Sequence, residues 1–155
     1  MKVYIGVDPG KKGAYAFIVD GDHGQKIMAR AWDDDKFVSD IKDVKERAAR
    51  NNGNVFAIVE SVHSLPNEGV KSAFSFGKSC GFIEGVLRAN KISYQLVIPQ
   101  KWKKEYSLSH DKKQSIEVCK KLFPNVSLKA TERCRTDSDG IAEAILIAEF
   151  ARRHC

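Results

Sequence analysis

The sequence predicts one α/β domain built on a five-stranded mixed sheet with helices on its faces. Three observations predict it. Short apolar runs with period two, separated by turn residues, fill the first thirty or so positions. The period then switches to three and four, and two further β-prone runs alternate with helical stretches. Finally, 155 residues with 43% hydrophobic content are enough for one core and too few for two.

Taken in order, Val3, Ile5 and Val7 alternate with Lys2, Tyr4 and Gly6 up to Asp8-Pro9-Gly10, where proline and glycine end the strand. Residues 14–19 form a second run, the stretch from Asp20 to Gly24 is turn chemistry, and residues 26–32 form a third, which together give an antiparallel meander. Residues 34–50 place Phe37, Val38, Ile41, Val44 and Ala48 on one helical face, and Asn51-Asn52-Gly53 terminates it. Residues 55–59 are a continuous apolar run of the kind covered on both faces of a sheet, ending at Glu60.

Residues 69–89 predict a long helix with Val70, Ala73, Phe74, Gly77, Cys80, Gly81, Glu84 and Leu87 along one stripe. That stripe packs either on the sheet or against a second copy of the chain. Residues 92–98 are a fifth strand ended by Pro99, residues 112–122 a basic helix stopped by Pro124, and residues 140–153 an apolar terminal helix.

No apolar run approaches the roughly 20 residues of a bilayer span, and the opening MKVYIGVDPG breaks before any signal-peptide core forms. The chain therefore reads as intracellular, in a cytoplasmic setting. Cys80, Cys119, Cys134 and Cys155 are scattered, without CxxC or histidine at ligand spacing, so free thiols are expected rather than zinc or disulfides.

The charge is uneven. Residues 101–135 carry ten basic and four acidic side chains, a surplus equal to the net +6 of the whole chain, and interleave them with Trp102, Tyr106 and Phe123. Such a segment suits a phosphate backbone, although a lysine-rich run is also what a solvated helix face looks like.

Asp8 and Glu60 each end an apolar strand. If those strands are parallel neighbours, both carboxylates emerge at the carboxyl edge where ligands of open α/β sheets gather; taken singly, each is equally readable as a turn cap. Asp139 and Glu143 lie four apart on one face near the start of the last helix, with Asp137 just before it. Glu143 sits among Ala144, Ile145 and Ala148, and a carboxylate at such a boundary needs a cation. An all-oxygen set selects Mg²⁺ or Mn²⁺ over zinc. Two such ions, about 3.5–4 Å apart, serve in-line phosphodiester hydrolysis that leaves a 5′-phosphate.

The segments IGVDPGKKGAYAF, AIVESVH, SFGKSCGFIEGVL, VIPQKWKK, DKKQS and DSDGIAEAILIAEFARR resemble, in order, those of the RuvC-type Holliday junction resolvases, over nearly the whole chain. The resemblance implies a ribonuclease H-like fold, a homodimer, and Mg²⁺-dependent paired nicking of branched DNA, above all four-way junctions. It implies that Asp8, Glu60, Asp139 and Glu143 are the catalytic carboxylates holding two ions, with Asp137 in reserve. Bacterial members carry two aspartates three apart where this chain has Asp139 and Glu143; DGxAEA is similar to phage-like relatives.

The resemblance further implies a catalytic lysine at Lys101 and DNA contacts from Lys101 and from Lys112 or Lys113, while the basic run of residues 101–135 adds Lys103 and Lys104 as DNA-binding candidates. His63 falls where the family has its junction wedge. Other readings are a compact RNA-processing nuclease of the same superfamily, a noncatalytic junction-binding protein, and a phosphate-binding module of the sugar kinase and actin type, for which the chain lacks a second lobe.

Overall fold

A computed structural model describes residues 1–10, 12–22, 24–61, 69–109 and 111–155, apart from the side chain of Lys112. Its strands are β1 (Lys2–Asp8), β2 (Ala14–Gly21), β3 (Gly24–Ala31), β4 (Asn54–Glu60) and β5 (Ser93–Val97), and its helices α1 (Asp34–Arg50), α2 (Val70–Ala89), α3 (Pro99–Glu105), α4 (Lys112–Leu122) and α5 (Asp139–His154). The sheet order is β3-β2-β1-β4-β5. The first three strands form the expected antiparallel meander, while β4 runs parallel to both β1 and β5.

The sheet is covered on both faces. On one side Val3, Ile5, Val7, Tyr15 and Phe17 meet Phe37, Ile41 and Val44 of α1 and Ile83 and Leu87 of α2. On the other, Tyr4, Ile18 and Ile58 meet Trp102 of α3, Cys119 of α4 and the apolar run of α5. Alternation within β1 sends successive side chains to these two cores. Every residue of α5 from Gly140 to Ala151 is buried, because the helix lies flat across the central strands.

That contact is unusually close at Gly6. A Cβ there would lie 2.9 Å from Ala148 Cα and closer still to Ala144 O and Ala148 N. Only a residue with no side chain lets the backbones of β1 and α5 touch.

Pro99 ends the fifth strand as expected, and the chain after it adds an element the pattern did not show, the short helix α3, with Pro99 at its first turn, where the missing N–H costs nothing. The stripe expected on α2 meets the sheet only at its C-terminal end: Leu87 packs inward beside Ile83, whereas Val70 and Phe74 are 86% and 69% exposed, and Gly77 and Gly81 have open space beside them. No helix among the described residues is long and apolar enough to cross a membrane.

Candidate active site

The parallel pairing of β1 and β4 runs through Val7 and Val59, which puts Asp8 and Glu60 side by side at the carboxyl edge of the sheet. The last helix brings its own carboxylates to the same edge. Ser138 caps α5, its Oγ accepting from the Ile141 N–H at 3.3 Å, which fixes Asp139 in the first turn. At Gly140 a Cβ would lie 2.7 Å from Lys12 O and 3.6 Å from Asp8 Oδ2, so the absence of a side chain lets the helix start close against the β1–β2 loop. One turn further on, Glu143 is 8% exposed.

These groups feel one another. Burial pushes the Asp8 carboxyl well above its ordinary value, and the negative charges of Glu60, Glu143 and Asp139 push it the same way, opposed by Lys103. Glu60 is also raised, first by burial and then by Glu143, with the Trp102 N–H and Lys103 working against the shift. Residues from both ends of the chain therefore share one electrostatic site.

Helix α3 supplies the partners. Trp102 is wholly buried and its Nε1–H donates to Glu60 Oε2 at 2.7 Å. The next residue, Lys103, places Nζ 3.0 Å from Glu143 Oε1 and 5.2 Å from the centre of the Trp102 ring. From α4, the buried Ser115 Oγ donates to the same Glu143 oxygen at 3.1 Å. Thus consecutive residues of one helix hold carboxylates of two different elements.

The expected lysines divide between two sides of α3. Lys103, not Lys101, is at the carboxylates. Lys101 is exposed and lines a cleft with Lys104, Gln95 and Glu105. The cause is helical geometry: two residues of separation is about 200° of rotation, so Lys101 and Lys103 face apart. Lys113 is exposed at the start of α4, where its N–H donates to the Asp111 cap at 3.0 Å. His63 and the side chain of Lys112 lie outside the described residues. Asp137 pairs with Lys120 of α4 at 2.5 Å and is not among the charges acting on Asp8. Trp102 and Ser115 were absent from the sequence-based site, since neither residue type marks a carboxylate partner without tertiary structure.

The donor set fits a hard divalent cation, because four carboxylates with no neighbouring histidine or thiolate among the described residues favour Mg²⁺ or Mn²⁺. Among the described residues no three His, Cys, Asp or Glu side chains are drawn together tightly enough to hold an ion as they stand. Glu143 is held instead by Lys103 and Ser115. A shared ion would draw the carboxylates closer together.

The raised Asp8 gives a stability prediction with a definite sign. Folded Asp8 holds its proton more tightly than the unfolded chain does, so its favourable contribution is complete below 3.8 and is lost as pH rises through the elevated folded value. In chelator, Asp8→Asn is expected to melt higher than wild type at neutral pH, with the gap closing on acidification. Thermal melts between about pH 4 and 8 test this; a variant that melts lower at neutral pH contradicts it.

No protein-family model matches the sequence, and no curated protein matches it. Solved structures do. The fold is similar to that of T. thermophilus RuvC in complex with a Holliday junction substrate, with a TM-score of 0.58 and 16% identity over 99% of this chain and 96% of that one. It is equally similar to the Fowlpox virus resolvase in complex with Holliday junction DNA, with a TM-score of 0.55 and 21% identity over 98% of both chains. The fold is therefore the ribonuclease H-like fold of RuvC-type resolvases, matched over 98–99% of this chain.

Proposed function

We propose that this protein is a divalent-metal-dependent, structure-specific DNA endonuclease that resolves Holliday junctions by paired phosphodiester hydrolysis, leaving 5′-phosphate ends. One observation carries the reading: Asp8, Glu60, Asp139 and Glu143, from strands and a helix at opposite ends of the chain, act on one another at the carboxyl edge of a sheet whose fold is that of junction resolvases.

Asp8, Glu60, Asp139 and Glu143 would hold Mg²⁺, with Mn²⁺ as a substitute and two ions per site. Bound there, the metal supplies an activated water and charge stabilisation for the leaving 3′ oxygen. The chain's own residues do the rest. Burial at the sheet edge keeps competing water away from Glu60 and Glu143, and Lys103, beside Glu143, offers an ammonium to a phosphate oxygen at the site.

The exposed lysines of α3 and α4 track the flanking backbone. Changing Lys101, Lys104, Lys113 and Lys121 to Gln is expected to weaken junction binding and to lower the slope of log K against log salt by about 0.9 for each lysine that meets a phosphate. An unchanged slope removes these helices from the interface. The exposed Val70 and Phe74, with Gly77 and Gly81 open beside them, give α2 a face on which a second copy packs, and two-fold pairing sets two sites on opposing strands.

The test of the reading is a panel of labelled substrates: four-way junction, Y-junction, flap, linear duplex and structured RNA. Cleavage concentrated on the four-way junction supports it. Preference for RNA favours the RNA-processing alternative, and tight junction binding without nicking favours a noncatalytic binder.

A further inference from the structure

We infer that Trp102 is a positioning residue for metal binding: its indole N–H fixes one oxygen of Glu60 and so orients the carboxylate toward the shared site. The inference rests on the nuclease reading above and adds to it an outer-shell residue of stated role.

Glu60 and Trp102 are both buried, at 6% and 0% exposure, and are joined by a 2.7 Å bond. A buried indole N–H needs an acceptor, but backbone carbonyls satisfy that need at no electrostatic cost. Here the acceptor is a carboxylate at the edge of β4, which accepts at Oε2 and keeps Oε1 and its remaining lone pairs for another partner. The indole is itself packed on several sides. It lies in the core shared with Tyr4, Ile58 and α5, has an edge contact with Tyr106 at 6.4 Å, and carries Lys103 Nζ over its ring. Tyr106 in turn donates its hydroxyl to Leu146 O of α5 at 3.0 Å, which fixes α3 to the helix that bears Asp139 and Glu143.

An outer-shell partner of this kind pre-orients the ligand and strengthens metal binding by about 10–100-fold. Trp102→Phe keeps most of the ring and removes the N–H, so Mg²⁺ affinity of the DNA-free protein, measured by calorimetry, is expected to fall by that factor. Substrate KM at saturating Mg²⁺ should not change.

Wild-type protein gives an independent readout that needs no folded variant. The chain has two tryptophans, and the other, Trp32, donates to Asp34 Oδ1 at 2.8 Å on the far side of the sheet. In a proton–nitrogen spectrum titrated with Mg²⁺, the Trp102 indole signal is expected to move saturably and the Trp32 signal to stay. Glu60→Gln should abolish the movement. If wild-type protein binds Mg²⁺ and nicks junctions while the Trp102 signal stays still, the positioning role is overturned and the nuclease reading survives. If it binds no divalent ion and cuts nothing, both fall together.

Discussion

Asp8→Asn is expected to lose junction cleavage by roughly a thousandfold or more while binding the same junction as tightly as wild type. The substitution is nearly isosteric, so β1 and its contacts with α5 persist. What disappears is one charge at a site that depends on several. Metal-assisted stabilisation of a reacting phosphodiester is worth several kcal/mol, and about 1.4 kcal/mol is a tenfold change in rate. Binding depends on the lysines of α3 and α4 and is unaffected, or strengthened by removal of a negative charge facing the phosphates. Single-turnover cleavage beside a mobility-shift titration separates the two. Full activity in this variant removes Asp8 from the reaction.

Gly6→Ala carries the largest expected effect on folding. The added methyl group would sit inside contact distance of Ala144 O, Ala148 N and Ala148 Cα, all of them backbone atoms in the buried stretch of α5 from Gly140 to Ala151. A flexible side chain could swing away; a helix backbone moves only as a unit. Overpacking against backbone lies at the upper end of the range, about 3 kcal/mol, which lowers Tm by roughly 10 °C in a domain of this size. Because α5 also carries Asp139 and Glu143, the surviving folded fraction should cleave poorly. Calorimetric melting checks the first effect. Wild-type Tm in Gly6→Ala would mean that α5 does not press on β1 in the folded protein.

Much of this architecture was legible in the sequence because short-range patterns report it directly. Period two in β1, the continuous apolar run of β4 and the acids that end both put Asp8 and Glu60 at one edge on the condition that the strands are parallel neighbours, and the pairing in the structure meets it. The Asp139–Glu143 spacing likewise identified one face of α5. Other features depend on tertiary structure. Helix α3 has seven residues, too few for periodicity to show; Pro99 ends the strand as expected and also opens a helix that no local pattern announces. The rotation that turns Lys103 inward and Lys101 outward was therefore not legible.

Helix α2 is a different case. Its residues are apolar on more than one side, so the pattern alone did not show that the stripe meets the sheet only at Leu87, with Ile83 beside it, and leaves Val70 and Phe74 exposed. The link between Trp102 and Glu60 joins residues 42 positions apart, and no local signal encodes it.

The most direct measurement is incubation of wild-type protein with an end-labelled four-way junction, in Mg²⁺ and in chelator, with the nicks mapped and their ends analysed. Symmetric nicks in opposing strands, each leaving a ligatable 5′-phosphate and appearing only with Mg²⁺, are the predicted result. A junction left uncut in Mg²⁺ and Mn²⁺ alike, or cut equally well in chelator, contradicts the account.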